Sequence, residues 1–462
     1  MAISNVTALN LGKFLQIAYS EGVRSQISED YRDWEMIKQV REGDPDGRQL
    51  NFLFQTAFGP AAIQYSAPGS AGEFPDEHQV TTSEHTAIYK ELDATIGIEY
   101  SLWNRARKAP AKYAEPLAIE IQSKAIASKR RMAADLYGDG TGVVAQCASS
   151  GTVATVDGSD VKFQLDGADD ARGHLGFCEF GDIYVIRQED GSATSLDTNL
   201  ATEPVYWKVM KKDRKNNTVT LRGLDSSFGE LSVASISVDA DADSVFFRYK
   251  QPTGGTAALD LTAAVADYGT VTEVVAGLES LISSDGRTIH GITMEGANSA
   301  TTEDCEGNPL DVTFIQSVMD QAKINVGRSI YTWKKMCMAP EAHAVFIESR
   351  ETDRRFNSRE DAARGIRVFG FQHEDDFLES YTTEYCPKKR LYLLPEAKSG
   401  KKVLEYHGTD FEPVRIGNMP EFHLRPGSNN NHQRRIVTYM EALGALICKH
   451  PAACARLNNF TL

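Results

Sequence analysis

Apolar and polar side chains alternate along residues 88–100, which predicts a half-buried β-strand. Residues 50–58 are similarly strand-like, and the segment 66–78 between the two runs is rich in glycine and proline. Together the two runs predict a long two-stranded ribbon. Because an isolated two-stranded ribbon is only marginally stable in water, we expect this one to lie on something else, such as another subunit.

The spacing of apolar residues changes to a helical one along residues 112–136. Apolar or small side chains recur there at every third or fourth position, with no internal glycine; they are Leu117, Ile121, Ala125, Ser128 and Met132. This pattern predicts one long helix with a narrow apolar seam.

Three glycines, Gly138, Gly140 and Gly142, follow that helix in the stretch LYGDGTG. Glycine loops often bind phosphate, but such loops lie between a strand and the N-terminus of the next helix. Here the helix precedes the glycines, and no Lys-Ser or Lys-Thr pair follows them. The sequence therefore favours a helix stop over a nucleotide site, with Gly138 in the left-handed position and a tight turn around Asp139 and Gly140.

Short strand-like runs separated by turn residues fill the segment 151–262. They predict a small all-β domain inserted into a larger α+β domain. The four runs are residues 181–187, 205–210, 217–221 and 244–250. The other predicted elements are short helices within 1–48, helices at 270–282 and 312–326, and strands at 390–395 and 402–407.

Length and composition narrow the class of protein. The chain has 462 residues, enough for about three domains. Its 64 acidic and 49 basic residues give a net charge of −15, so the chain as a whole is not an electrostatic ligand for nucleic acid. Seven cysteines without CxxC spacing are typical of free thiols in a reducing compartment. We recognise neither a membrane-spanning stretch nor a standard signal peptide, and expect a soluble protein.

Residues 105–131 depart from the acidity of the chain, with eight basic against two acidic side chains. The four that lie nearest the glycines, called here the basic cluster, are Lys124, Lys129, Arg130 and Arg131. The functional interpretation is a helix that faces a polyanion; the alternative is a solvated face, or one paired with acidic neighbours. Segment 151–262 has 18 acidic and 11 basic residues, so we expect it to point away from whatever the helix faces.

No pattern in the sequence indicates a catalytic or metal site strongly. The alternating aspartates of residues 239–243 resemble the start of a calcium loop, but Ser244 stands where that loop requires glycine. Cys448, His450 and Cys454 are close in sequence, but they lack the second ligand pair of common zinc sites. There is no HExxH and no GxSxG motif. We therefore predict a protein that is not an enzyme and that uses no cofactor or metal.

Four stretches of the chain resemble the major capsid proteins of tailed bacteriophages, which have the Hong Kong 97-type fold. They are the ribbon (50–102), the helix closed by LYGDGTG (112–142), KKRLYLLPEAKSGKKVLEYHG (388–408) and ALGALICKHPAACARLNNF (442–460). The last is the most specific, because in that family a late strand returns to a proline turn just before the C-terminus. Segment 151–262 has no place in the minimal fold and resembles an insertion domain.

The resemblance implies an α+β fold with six parts. They are an N-terminal arm (1–48), an extended loop made of a long β-hairpin (49–102), a peripheral domain with a spine helix (103–150), a β-rich insertion domain (151–262), an axial domain (263–326), and the return strands of the axial and peripheral domains (327–462). In such shells the extended loop lies on a neighbouring subunit. That placement gives an intersubunit role to the residues of the loop tip, which are Pro68, Gly69, Gly72, Phe74 and Pro75.

For function, the resemblance implies a structural protein that self-assembles into hexamers and pentamers of an icosahedral head enclosing double-stranded DNA. The basic cluster would face that DNA from the inner side of the shell and contact it without sequence specificity. Other expected partners are a portal, possible scaffold and decoration proteins, and no membrane. No long scaffolding segment precedes the arm, which implies a separate scaffold protein or none.

The expected location is the virion capsid, after assembly in the host cytoplasm. An encapsulin-like protein nanocompartment is the alternative, because encapsulins have the same fold and enclose enzymes instead of genomes.

Overall fold

The computed structural model describes residues 36–41, 49–57, 81–99, 127–128, 130–148, 154–157, 160–166, 174–188, 206–224, 244–248, 275–284, 286, 288–295, 299–326, 331–351, 370–373, 376–409, 412–414, 423–426 and 432–462. The described strands are β1 (Lys38–Arg41), β2 (Gln49–Ala57), β3 (Thr81–Ile88), β4 (Lys90–Glu99), β5 (Val143–Gln146), β6 (Ala154–Asp157), β7 (Asp160–Gln164), β8 (Ile183–Gln188), β9 (Tyr206–Asp213), β10 (Thr218–Leu224), β11 (Ser244–Arg248), β12 (Thr288–Ile289), β13 (Ile292–Thr293), β14 (Thr301–Asp304), β15 (Tyr331–Met338), β16 (Gly370–His373), β17 (Asp376–Thr382), β18 (Arg390–Ala397), β19 (Leu404–Gly408), β20 (Glu412–Val414), β21 (His423–Pro426), β22 (His432–Cys448) and β23 (Ala455–Asn458). The described helices are α1 (helical residues 127–128 and 130–136), α2 (Leu278–Leu281), α3 (Val312–Val326) and α4 (Pro340–Glu351).

The long strand β22 organises the first sheet. Along one edge it pairs with β4, from Glu99 opposite Arg435 to Lys90 opposite Gly444. It also pairs with β21, β20 and β19 in turn, all antiparallel. Because Tyr439 pairs with both β4 and β20, those two strands lie on opposite edges of β22. Strand β1 extends the sheet by pairing with β19 in parallel.

The ribbon, formed by β2 and β3, is continuous with this sheet through β4. β3 and β4 form one nearly continuous strand, interrupted only at Tyr89. Its first half pairs with β2 as a hairpin, with Gln49 opposite Ile88, whereas its second half pairs with β22. The predicted pairing of residues 50–58 with 88–100 is therefore wrong, since the strand opposite β2 is β3. Alternation shows that a strand is half buried, but it does not show which neighbour pairs with it.

Strands β5 to β11 form a second sheet, antiparallel throughout, in the order β5-β11-β8-β9-β10-β7-β6. Hydrogen bonds join Ala148 N to Gln164 O (3.1 Å) and Asp166 N to Gln146 O (2.8 Å). These bonds connect β5 to β7, so that six of the strands close into a barrel. The four strands predicted between 181 and 250 are observed as β8 to β11. The barrel begins at β5, before the predicted boundary at residue 151.

The third sheet has the order β14-β23-β18-β15-β17-β16 and packs against α3. The bounds of α3 are those of the predicted helix at 312–326. Its buried residues Ile315, Val318, Met319 and Ala322 follow the spacing of one helical face, which is the face turned to the sheet. The predicted strands at 390–395 and 402–407 are observed as β18 and β19. The predicted helix at 270–282 is wrong in extent, because residues 275–277 are not helical and α2 is short.

Two buried clusters form most of the described core. The larger one runs without interruption from the barrel to the first sheet: it includes Phe163 and Trp207, whose rings pack edge to face at 5.4 Å, together with Tyr392 and Leu446. The smaller cluster fills the space between α3 and the third sheet. The barrel thus shares its core with the rest of the chain.

Candidate assembly elements

A turn follows the last residue of α1. Tyr137 N donates to Ala134 O and Gly138 N to Asp135 O, both at 3.1 Å, which is the three-residue pattern that tightens a helix end. The Asp139 carboxylate then accepts a hydrogen bond from Thr141 N at 2.9 Å. The chain continues directly into β5 of the barrel.

The left-handed residues of this turn are Gly140 (φ 84°) and Gly142 (φ 81°). The prediction that Gly138 takes the left-handed position is wrong, because its φ lies outside that region. Gly138 N still bonds to Asp135 O in the tightened last turn of α1, so Gly138 belongs to the helix end and the left-handed residues follow it. A Cβ at Gly140 would lie 3.2 Å from Ala276 Cα, which leaves little room for a side chain.

The C-terminal end of α1 is covered by Gly277, the residue that precedes α2. A Cβ at Gly277 would lie 2.4 to 2.6 Å from the carbonyl oxygens of Asp135, Leu136 and Gly138. Only a glycine permits so close an approach of two backbones. Carbonyl oxygens that converge on this point repel an anion, so the geometry gives no support to a phosphate site at these glycines.

The base of the ribbon packs on another part of the same chain. Ala87 and Tyr89 form a buried cluster with Ala445 and Ile447 of β22. On the ribbon side, Phe52 packs against that cluster and edge to face against His290, with ring centroids 6.4 Å apart. The ribbon is therefore rooted firmly at β22. The proposed loop tip (Pro68, Gly69, Gly72, Phe74 and Pro75) lies outside the described residues.

Two members of the basic cluster have acidic partners within the chain. Arg130 Nη1 lies 3.8 Å from Glu179 Oε2, and Arg131 Nε lies 3.6 Å from Asp135 Oδ2 one helical turn away. Lys124 and Lys129 lie outside the described residues. Arg130 is still about half exposed, at 52%, and such surface pairs contribute about 0 to 1 kcal/mol. The arrangement agrees with the paired-face interpretation for these two arginines.

The β9–β10 turn of the barrel contacts the part of the chain that contains α4 and Lys388. The Arg214 guanidinium forms a two-point ion pair with the Glu341 carboxylate of α4, including Nη2 to Oε2 at 2.8 Å. Lys388 Nζ donates to the Arg214 carbonyl oxygen at 2.7 Å. The sequence carries no signal for this contact, because a single arginine in a turn looks like any solvated residue.

A buried histidine makes a second connection between barrel and body. His174 Nδ1 accepts a hydrogen bond from Gly176 N at 3.0 Å, so Nε2 carries the proton and donates it to Tyr385 O at 2.7 Å. Burial lowers the pKa of His174 to about 3, and the ring is neutral at physiological pH. The neutral form satisfies both nitrogens, which makes this a structural histidine.

Strand β1 is held to the first sheet by a buried carboxylate. Glu405 Oε1 accepts from Lys38 Nζ at 2.8 Å, and its Oε2 lies 2.6 Å from Lys449 Nζ and 3.2 Å from His407 Nε2. Burial alone would raise the pKa of Glu405, but these hydrogen bonds lower it to about 2. The cluster fixes the only described part of the predicted arm, residues 36–41, on the first sheet. The prediction of short helices is wrong at this point, because residues 38–41 form strand β1 paired with β19.

The metal sites weighed from the sequence gain no support. The aspartates of residues 239–243 lie outside the described part of the chain. Cys448 and Cys454 contact each other, and among the described residues no three His, Cys, Asp or Glu side chains are placed to share a metal ion. No described helix is long and apolar enough to cross a membrane.

No protein-family model and no curated protein sequence matches this chain. Several solved structures are similar to it. The satellite phage P4 procapsid structure, which includes the size determination protein, aligns at 8% identity and a TM-score of 0.38, covering 96% of this chain and 91% of that chain. The capsid of cyanophage A-1(L) aligns at 9% and 0.42, covering 92% and 91%.

The holo-encapsulin complex from Synechococcus elongatus aligns at 7% identity and a TM-score of 0.36, covering 94% of this chain and 89% of that chain. These structures come from phage capsids and an encapsulin, the two kinds of shell that the sequence resemblance names. At such low identities and TM-scores, the similarity by itself assigns no function.

Proposed function

We propose that this chain is the major capsid subunit of a tailed bacteriophage, with a Hong Kong 97-type fold. Hexamers and pentamers of it would form an icosahedral head around double-stranded DNA. The role is structural and involves no catalysis. Its place is the virion capsid, after assembly in the host cytoplasm.

The observation that carries this proposal is the strand that runs from β3 into β4. Its β4 half is anchored by ten residue pairs along β22, whereas its β3 half continues into a ribbon of two strands. A ribbon this thin gains stability only when a third strand or another surface covers it. A neighbouring subunit supplies that surface in a shell, and a rooted ribbon is the element needed to reach it.

The domain division drawn from the sequence is kept as part of the proposal. The barrel, which begins at Val143, would be the insertion domain and lie on the outer surface, since its segment is acidic. Its bonds to α4 and to the 383–390 turn support a barrel that braces its own subunit. Any decoration protein, portal or scaffold is an expected partner.

The test is assembly of the purified chain, expressed alone and with candidate scaffolds, followed by electron microscopy and by measurement of nucleic acid in the particles. Rings, shells or tubes are expected, and DNA in the particles made during infection. A monodisperse monomer at high concentration would contradict the proposal. Closed shells that retain an enzyme and no genome would instead identify an encapsulin-like compartment.

A further inference from the structure

The sulfur atoms of Cys448 and Cys454 lie 3.9 Å apart inside the protein. Cys448 is the last residue of β22, and Cys454 directly precedes β23. Between them the chain makes one turn of 3₁₀ helix at Pro451–Ala453. Both side chains are buried, with 3% and 0% of their surface exposed. Two free thiols therefore face each other across a short turn.

This turn is the connection between two sheets. β22 belongs to the first sheet and β23 to the third. Val326 of α3 and Tyr331 of β15 pack on Ala452 and Ala453 within the turn. A covalent bond between the two cysteines would close the turn and fix the end of one sheet to the start of the other.

We propose that Cys448 and Cys454 form a reversible disulfide that locks this junction when the protein meets an oxidant such as hydrogen peroxide. A disulfide has an S–S distance of about 2.05 Å, so the sulfurs must approach by about 2 Å. This approach requires rotation of the two side chains about their Cα–Cβ bonds. The sulfurs already touch, so no other group has to be displaced between them.

The reaction takes two steps. One thiol attacks hydrogen peroxide, the O–O bond breaks, and a sulfenic acid and one water form. The second thiol then attacks the sulfenic sulfur, the S–S bond forms, and hydroxide leaves with the thiol proton as a second water. Two electrons pass from the pair of thiols to the peroxide, and thiol reductants reverse the change.

The surroundings make this oxidation slow. The hydrogen-bonding contact with Cys448, together with burial, raises the pKa of the Cys454 thiol well above its ordinary value. Little reactive thiolate is then present at neutral pH, so the pair stays reduced in a reducing cell. In assembled shells, the bond would form only after the particles leave the reducing cell. That consequence rests on the proposed function, whereas formation of the bond itself does not.

The test is mass spectrometry of the full-length protein, first reduced and then treated with hydrogen peroxide. Trypsin cuts after Lys449 and Arg456, which places the two cysteines in the separate peptides 436–449 and 450–456. After alkylation of free thiols without reduction, we expect these peptides to be joined, with the loss of two hydrogen atoms, and to separate on reduction. The oxidised protein should also unfold at a higher temperature than the reduced one.

Matched variants complete the test. Cys454→Ala should abolish both the linked peptides and the rise in unfolding temperature, whereas Cys147→Ala, which removes another buried thiol, should leave both intact. Full alkylation of Cys448 and Cys454 after peroxide treatment of the wild-type chain would overturn the proposal. Linkage of either one to a different cysteine would overturn it as well. These outcomes do not depend on whether the chain forms shells.

Discussion

Single residues fix the geometry where α1 ends. Gly140 and Gly142 take the left-handed conformation, and Gly277 lets a second backbone cover the last carbonyls of α1. The sequence predicts a turn here because glycines follow a helical pattern. The sequence alone does not show which of these glycines is left-handed. That depends on how the last helical turn closes and on the contact with Ala276, which is distant in sequence.

The first prediction compares two glycines of that turn. Gly140→Ala should lower the free energy of unfolding by at least about 1 to 2 kcal/mol, because the residue is left-handed and its Cβ would crowd Ala276. Gly138→Ala is the matched control and should cost less, since no positive φ is required there. Chemical denaturation of the unassembled subunits measures both changes. Equal losses for the two variants would contradict the assignment.

The second prediction concerns acid stability at Glu405. Its pKa is lowered from 4.5 to about 2, so its ion pairs stabilise the folded chain above pH 4.5, and this stabilisation is lost as the pH falls towards 2. We expect Glu405→Gln to cost about 1 to 3 kcal/mol at neutral pH and much less near pH 2, because Lys38 and Lys449 are half exposed. Unfolding free energies measured across that pH range provide the check. A cost that does not change with pH would show that the charge of Glu405 contributes nothing.

For the secondary-structure elements, the sequence predicts which segments are helices or strands better than it predicts which strands pair with each other. The bounds of α3 and the positions of β8 to β11, β18 and β19 follow from period and turn residues. The partner of each strand does not follow, as the ribbon shows: residues 90–99 form a strand as the alternation predicts, yet they pair with β22. Contacts between distant segments, such as Arg214 with Glu341 and His174 with Tyr385, leave no periodic trace in the chain.

The third prediction removes the loop tip. Deletion of residues 66–78 should leave a soluble, folded subunit, because the ribbon is rooted by Ala87 and Tyr89 on β22 outside the deleted segment. Assembly should be impaired, since the tip is taken to contact a neighbour. Sedimentation of the variant beside the wild-type chain measures both properties. Intact shells at an equal yield would show that the tip is dispensable.

Over the whole molecule, the barrel, the first sheet and the end of α1 share one buried cluster. The chain's net charge of −15 argues against strong adhesion to DNA, which would also hinder packing and release. The basic cluster is therefore proposed to relieve charge locally, while cations such as Mg²⁺ neutralise most of the phosphate.

The fourth prediction tests that role. Replacing Lys124, Lys129, Arg130 and Arg131 together with Gln should still allow empty shells to assemble and should lower the amount or stability of packaged genome, most visibly at low salt. A control variant carries only Arg130→Gln and Arg131→Gln, whose partners Glu179 and Asp135 lie in the same chain. It should have a smaller effect on the genome. If assembly of the fourfold variant fails before DNA enters, the cluster forms ion pairs between subunits and does not face DNA.

The proposed assembly requires the ribbon of one subunit to lie on another. A cryo-electron microscopy reconstruction of assembled particles tests it most directly, because it shows where β2 and β3 lie relative to the neighbouring chains. We expect hexamers and pentamers in which each ribbon lies on the adjacent subunit of a closed shell. A ribbon folded back along its own subunit would contradict it, and so would particles in which neighbouring subunits meet without the ribbon.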